Sequence, residues 1–291
     1  MKLPRAVNAV VSVAIGLMVA LGFYCACAAY VLRFNLDSIL FPHVLEPADS
    51  VTQMTARVTD ASGNQLLLRR YGQPRTGCAI FFPGQHGELS DYQQTLFRKF
   101  ADAGVAVFAA DYPGQDGAAG SANIRRVLDL SHRAVLLVTQ QCDQRRTIIL
   151  GRSLGSMVAV YAAEGVKPAV IVLESAAPSL SAAIAVRIRS HWYLYPLRLL
   201  PLHALLVHDY SLAEALTHSP DTPVILFQGT ADHQTPIGEL KHIGTLPPNV
   251  RLVPISQATH ANTYRLALDA EIATVIDALP HLQDNQAQAG K

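Results

Sequence analysis

The hydrophobic pattern divides the chain into an apolar N-terminal run and a longer part built from short apolar blocks. After the basic start MKLPR, residues 6–32 comprise 27 residues without a charge. About 20 apolar residues are enough to cross a bilayer, whereas the apolar core of a secretory signal has roughly 7–15. Residues 1–32 are therefore predicted to be an uncleaved, single-pass anchor in the cell membrane.

Two features of this run bear on where the rest of the chain lies. Lys2 and Arg5 precede it and only Arg33 follows it closely. The positive-inside rule then predicts a cytoplasmic N-terminus, with the rest of the chain on the periplasmic or extracellular side. The alternative is secretion after signal cleavage, because ACA at 26–28 has the small residues of a cleavage site.

Beyond the anchor, the pattern alternates between strand-like and helix-like segments. Two runs flanking ASGN predict a β-hairpin over 54–60 and 65–72. Compact apolar runs predict strands over 78–84, 105–114, 147–151, 168–175, 222–229 and 250–256. Helical periodicity appears over 91–104, 121–141 with Ser121 as a potential cap, 154–165 and 261–280.

A hairpin followed by alternating strands and helices predicts an α/β fold, with a mostly parallel sheet covered by helices on both faces. The expected domain is 33–280, and the polar tail 281–291 is predicted to be disordered. Residues 178–218 form an insertion dense in aromatic and aliphatic side chains. We expect a short helical lid there, either packed on the domain body or forming an apolar acyl pocket that faces the bilayer.

Charge and cysteine usage narrow the classes of partner. The net charge is +1 and charged residues make up 15% of the chain, without the clustered Lys and Arg of a nucleic-acid interface. Small molecules or lipids are the expected partners. Outside the anchor only Cys78 and Cys142 remain, and no His or Cys spacing indicates a metal site. We expect two buried free thiols here rather than a disulfide.

The residues that follow the strands suggest a chemistry, because ligands of open α/β sheets gather beyond the carboxyl ends of the strands. Ser153, Asp232 and His260 each come just after a predicted strand. A serine hydroxyl needs a base to take its proton, and the base needs a third group to orient it. Imidazole and carboxylate suit these two tasks. The three residues are therefore the expected catalytic groups, and they require no metal or organic cofactor.

The sequence around the serine, LGRSLG, supports this interpretation. A tight strand-to-helix turn leaves no room for side chains two positions either side of the serine, and Gly151 and Gly155 meet that need. The backbone N–H of Leu154 is one expected oxyanion donor. The second is the N–H of Gln85, on the loop after the strand 78–82.

The stretches LGRSLGSMVAVYAA, AADYPGQDGAAG, LFQGTADHQTP and ATHAN together resemble the α/β-hydrolase superfamily, and more narrowly its membrane-anchored serine hydrolases. The resemblance covers roughly residues 30–280. It implies hydrolysis of carboxylic esters or thioesters, often of lipids, through an acyl-enzyme. The chain departs from the family in having Pro83-Gly84 where His-Gly is usual, and GQDGAAG where a Gly-x-Ser-rich loop is common.

Other assignments stay open at this point. Asp111 is the rival of Asp232, and His233 or His86 could replace His260. Arg152, inside the turn, is expected to be a buried structural residue, with Glu174 as its partner. A catalytically silent membrane-bound binding or scaffold protein is the alternative function from another class. A serine peptidase or an acyltransferase would use the same three residues.

Overall fold

The computed structural model describes residues 5–43, 54–87, 89–241 and 246–280. The predicted disordered tail lies outside these residues. The chain opens with the helix α1 (Arg5–Phe34), which continues almost directly into α2 (Leu36–Leu40). Within α1, residues Ala9–Phe34 have the length and composition of a membrane span, with a mean hydropathy of 2.3.

The domain that follows is built on eight strands. They are β1 (Met54–Thr59), β2 (Gln65–Tyr71), β3 (Gly77–Phe82), β4 (Val105–Asp111), β5 (Thr147–Arg152), β6 (Val170–Glu174), β7 (Val224–Gly229) and β8 (Val250–Ile255). Their order in the sheet is β1-β2-β4-β3-β5-β6-β7-β8. The hairpin β1–β2 and the pair β2–β4 are antiparallel, and all other neighbours are parallel. The predicted α/β fold class is confirmed.

Helices cover both faces of the sheet. The first is α3, made of Ser90–Tyr92, the π-helical turn Gln93–Phe97 and Arg98–Asp102 without a break. The others in the body are α4 (Ile124–Cys142), α5 (Leu154–Ala162), α9 (Ile237–Leu240), α10 (Thr263–Leu266) and α11 (Leu268–Ala278). Helices α4 and α5 pack on one face, and α3, α10 and α11 pack on the other. The single helix predicted over 261–280 is in fact two, because the chain bends at Ala267.

The insertion between β6 and β7, the segment predicted to be a lid and called the lid below, consists of short helical elements. Its elements are α6 (Leu180–Ser190), the 3₁₀ segment Trp192–Leu199, α7 (Leu202–Leu205) and α8 (Leu212–Thr217). Pro196 and Pro201 keep these pieces short, since proline cannot donate a backbone hydrogen bond inside a helix. The lid joins the face of the sheet that α4 and α5 cover, through Leu180, Leu206 and Leu212.

Two further expectations about local structure were wrong. The cap of α4 is Asn123 and not Ser121, because the Asn123 side chain accepts a hydrogen bond from the N–H of Arg126 at 2.8 Å. Cys78 and Cys142 are not free thiols but form a disulfide. The start of β3 and the end of α4 bring their Cα atoms to 5.9 Å, within the range a disulfide spans.

This disulfide closes a long loop, so its loss should lower stability. Cys142→Ser is expected to reduce the free energy of unfolding by about 2–5 kcal/mol. Thermal unfolding of the detergent-solubilised protein, followed by circular dichroism, measures the effect. Cys27→Ser, at an exposed position of α1, is the control and should change little. Four alkylatable thiols in the denatured, unreduced protein, rather than the two of Cys25 and Cys27, would contradict the pairing.

Candidate active site

Ser153 lies on a sharp turn between β5 and α5. Its backbone has φ 53° and ψ −119°, a left-handed conformation that a non-glycine residue adopts only under strain. Its N–H donates to the carbonyl oxygen of Glu174 at 2.8 Å, which ties the turn to β6. The strained turn leaves the serine partly exposed beyond the carboxyl end of the sheet.

The two glycines that flank the serine allow this turn for steric reasons. A Cβ on Gly155 would overlap the carbonyl oxygens of Phe82 and Pro83, at the end of β3. A Cβ on Gly151 would overlap the carbonyl oxygen of Gly155. Helix α5 therefore packs against β3 and β5 more closely than any side chain would permit.

The structure brings Ser153, Asp232 and His260 together. The Nε2 atom of His260 lies 3.0 Å from the Oγ of Ser153. Its Nδ1 atom lies 2.9 Å from the Oδ2 of Asp232. A carboxylate accepts only, so Nδ1 carries the proton and Nε2 presents a lone pair to the serine hydroxyl. This tautomer is the one that a general base requires.

Asp232 is buried, with a fully enclosed side chain. Its Oδ1 accepts from the N–H groups of Gln234 and Thr235 at 2.8 and 2.9 Å. Burial favours the neutral acid, but the hydrogen bond and charge of His260, together with Thr235, outweigh it and lower the pKa of Asp232. The carboxylate is thus held in its charged form, which stabilises a positive charge on His260.

Arg152 braces the loop that carries His260. Its guanidinium donates to the backbone carbonyl of His260 at 2.5 Å and to the hydroxyl of Tyr92. It lies over the ring of Tyr264 at 5.1 Å and pairs with Glu174 at 3.9 Å. The expected structural role of Arg152 and its pairing with Glu174 are both present, and the arginine contacts the base as well as the turn.

Beneath Arg152, Glu174 meets a second buried carboxyl group, Glu271 of α11. Burial, and then the charge of Glu174, raise the pKa of Glu271 well above its ordinary value. Neither oxygen of Glu174 accepts from any other donor in the described part of the chain. A protonated Glu271 that donates to Glu174 satisfies the pair, since two buried carboxylates in contact cannot both ionise.

The rival residues lie elsewhere or face solvent. Asp111 pairs with Arg69 at 2.6 Å, on the antiparallel side of the sheet. His86 and His233 are exposed. Across residues 5–43, 54–87, 89–241 and 246–280, no group of His, Cys, Asp and Glu is arranged to hold a metal ion.

The expected oxyanion donors lie on either side of the serine. Leu154 is the first residue of α5, so helix geometry leaves its N–H without an intrahelical acceptor. Gln85 follows Gly84, and a Cβ placed on Gly84 would lie 3.5 Å from the Cβ of Ser153. The carbonyl of Gln85 accepts from the side chain of buried Gln115 at 3.1 Å, so the GQDGAAG loop supports it.

Sequence reasoning missed three residues that shape the site. Thr235 supports Asp232, with its Oγ1 2.8 Å from the Oδ2 of the carboxylate. Tyr92 and Glu271 come from helices distant in sequence, and both contact the Arg152–Glu174 pair. The sequence does carry a signal for Glu271, an acid in the mainly apolar stretch EIATVI, but no signal for its partner.

The buried Glu174–Glu271 pair should make stability depend on pH. The folded-state pKa of Glu271 lies above the ordinary value of 4.5, so its contribution is fully present below about pH 4.5. It is lost as pH rises through the folded value, by at most about 1.4 kcal/mol per pH unit. Glu271→Gln cannot ionise, so its thermal midpoint should fall less than that of the wild type towards alkaline pH.

Thermal unfolding across pH in detergent measures this difference. Glu164→Gln, at an exposed position just after α5, is the matched control and should follow the wild-type profile. Parallel profiles of the wild type and Glu271→Gln would contradict the protonated pair.

Comparison with known proteins shows which family shares this fold. The model of the alpha/beta hydrolase family matches residues 79–278. The Pyrococcus furiosus esterase Pf2001 has a similar structure, with a TM-score of 0.60 at 16% identity, over 82% of this chain and 97% of that one. No match was found among curated protein sequences.

Two further solved structures share the architecture. The thioesterase domain from the curacin biosynthetic pathway gives a TM-score of 0.54 at 14% identity, over 78% of this chain and 100% of that one. A carboxylesterase of Nitrososphaera gargenis gives a TM-score of 0.58 at 11% identity, over 77% of this chain and 100% of that one. At these identities the likeness concerns the fold. Because the family model covers more than half of the sequence, the chain belongs to the α/β-hydrolase family.

Proposed function

We propose that this protein is a membrane-anchored serine hydrolase that cleaves carboxylic esters or thioesters through an acyl-enzyme. The observation that carries the proposal is the continuous hydrogen-bond chain from Ser153 through His260 to Asp232, at 3.0 and 2.9 Å. Esterases and a thioesterase domain among the structural neighbours are in keeping with this class of reaction.

The first half-reaction of the proposed mechanism acylates the serine. The Oγ of Ser153 attacks the carbonyl carbon while Nε2 of His260 takes the hydroxyl proton. The N–H groups of Leu154 and Gln85 stabilise the negative oxygen of the tetrahedral intermediate. His260 then gives its proton to the leaving alcohol or thiol, and the acyl group stays on the serine.

The second half-reaction frees the acyl group. His260 takes a proton from a water molecule, which attacks the acyl carbonyl, and then returns the proton to the Oγ of Ser153. Asp232 stays ionised and compensates the imidazolium in both halves. An acyltransferase would replace the water by another acceptor, and a peptidase would release an amine.

Three features support an anchored protein whose domain lies on the non-cytoplasmic side. The span in α1 is preceded by more positive charge than follows it. The Cys78–Cys142 disulfide suits an oxidising compartment. Partly buried positions from Cys25 to Leu32 of α1, facing the lid, favour retention of this helix over cleavage at 26–28.

Labelling with a fluorophosphonate probe, followed by assays on p-nitrophenyl esters of graded chain length, tests the chemistry. Ser153→Ala should abolish labelling and turnover, and Asp232→Asn should lower kcat by roughly 10⁴-fold because it favours the wrong tautomer. Ser62→Ala, at an exposed hairpin serine, is the matched control. Failure of the wild type to label or turn over would favour the silent binding protein.

A reporter fused after residue 285 tests the orientation. Alkaline phosphatase, which is active only where disulfides form, should be active in this fusion, and a reporter active only in the cytoplasm should be silent. The opposite pattern would refute the non-cytoplasmic placement. Alkaline carbonate extraction tests retention, since an anchored protein stays in the membrane pellet and a cleaved one is released.

A further inference from the structure

The surroundings of α1 change abruptly along its length. Every residue from Ala9 to Tyr24 is exposed, although nearly all are apolar. Beyond Tyr24, the partly buried positions lie mainly on one face of the helix at helical spacing, namely Cys25, Ala28, Ala29 and Leu32, with Val31 partly buried beside that face. Helix α1 is therefore exposed on all sides up to Tyr24, and beyond Tyr24 the rest of the protein covers one of its sides.

The element that covers this side is the 3₁₀ segment Trp192–Leu199 of the lid. The hydroxyl of Tyr24 donates to the backbone carbonyl of Tyr193 at 2.9 Å. The thiol of Cys25 lies 3.9 Å from the carbonyl oxygen of Pro196. The lid thus meets α1 at the point where the helix stops being exposed on all sides.

The length of α1 from its start to Tyr24 matches a bilayer. Helix α1 begins at Arg5, and the 20 residues from Arg5 to Tyr24 span about 30 Å at 1.5 Å per residue. About 30 Å is the thickness of the hydrocarbon core. The level of Tyr24 is then the outer boundary of that core, and the segment Trp192–Leu199 lies at the height of the lipid headgroups.

The side chains of this segment suit that height. Trp192 and Leu199 are each 82% exposed, and Tyr193 and Tyr195 are about half exposed. The guanidinium of Arg198 stacks over the ring of Tyr195 at 3.9 Å. Trp and Tyr concentrate at membrane–water interfaces, where an apolar ring and a polar edge are both satisfied. In water the same surface would be an exposed apolar patch.

We propose that the segment Trp192–Leu199 is a membrane-docking surface, seated in the headgroup layer of the same bilayer that α1 crosses. The proposal rests on the membrane anchoring put forward above. It adds a second contact with the lipid, made by the lid. This contact fixes the orientation of the domain relative to the bilayer. The lid then joins the bilayer to the site, because Arg189 of α6 pairs at 2.6 Å with Glu239 of α9, the helix that follows the Asp232 loop.

The consequence for substrate choice follows from this position. An amphiphile that lies in the headgroup layer, with its acyl ester at the interface, is at the level of the lid, which pairs with the helix after the Asp232 loop. The docking surface therefore favours acyl lipids over freely soluble esters as substrates.

The chain provides its own reporter, because Trp192 is its single tryptophan. The full-length protein is reconstituted in phosphatidylcholine vesicles with or without bromine at the upper acyl positions, since bromine quenches tryptophan on contact. Trp192 seated at the interface should lose roughly half or more of its emission in the brominated vesicles. The same protein in detergent without bromine gives the unquenched reference.

A matched control moves the reporter. The double variant Trp192→Phe/Ile276→Trp places the tryptophan on α11, on the face of the sheet opposite the lid, where Ile276 is also exposed. Its emission should be the same in brominated and ordinary vesicles. Equal quenching of the tryptophan at positions 192 and 276 would mean that the quenching does not depend on where the tryptophan lies in the protein. That result would overturn the proposal.

The remaining outcomes separate this inference from the proposed function. Wild type that floats with the vesicles and labels with fluorophosphonate, yet shows unquenched Trp192, overturns the docking surface and leaves the hydrolase standing. Quenched Trp192 without fluorophosphonate labelling supports the surface and counts against the chemistry. Protein that does not float with the vesicles overturns both the anchoring and the docking surface.

Discussion

The close approach of α5 to the end of β3 is the constraint on which the site depends. Gly155 packs directly on the carbonyl oxygens of Phe82 and Pro83, so that the helix can begin immediately after Ser153. Only this contact lets the backbone turn within one residue and project the serine hydroxyl beyond the sheet. The strain at Ser153 is held by the parallel pairing of β5 with β3 and β6 on either side. The position of the serine is therefore a property of the sheet as a whole.

A second constraint is the support that Arg152 gives to the loop of His260. His260 sits on a loop after β8, and a loop needs support if the distance to the serine is to stay near 3.0 Å. Arg152 gives that support from the neighbour of the serine, by binding the backbone of His260. A buried guanidinium needs a counter-charge, and Glu174 supplies one, while burial and the charge of Glu174 raise the pKa of Glu271 and favour its neutral form. Ser153 and His260 are thus linked twice, directly through their side chains and indirectly through Arg152, which binds the backbone of His260.

The disulfide and the insertion illustrate what a pattern of residues does not reveal. Cys78 and Cys142 are 64 residues apart in sequence and become neighbours because α4 runs back to the start of β3. The lid sequence offered two interpretations, packing or a surface towards the bilayer, which its aromatic content alone could not separate. The contact of Tyr24 with Tyr193 supplies what the sequence lacked, since it sets the position of the insertion along α1. Each of these facts depends on where distant segments meet.

The sequence by itself predicted a membrane anchor and the order of the strands along the chain, and it singled out Ser153, Asp232 and His260, which the structure brings together. These depend on local patterns: a long uncharged run, apolar blocks of strand length, and polar residues directly after strands that end at one edge of a sheet. The tertiary structure decided the partners of those residues. Thr235 on Asp232, Arg152 on His260 and Glu271 on Glu174 are contacts between elements far apart in sequence. Side chains acquire such contacts only when packing fixes their distances, and one sequence carries no record of those distances.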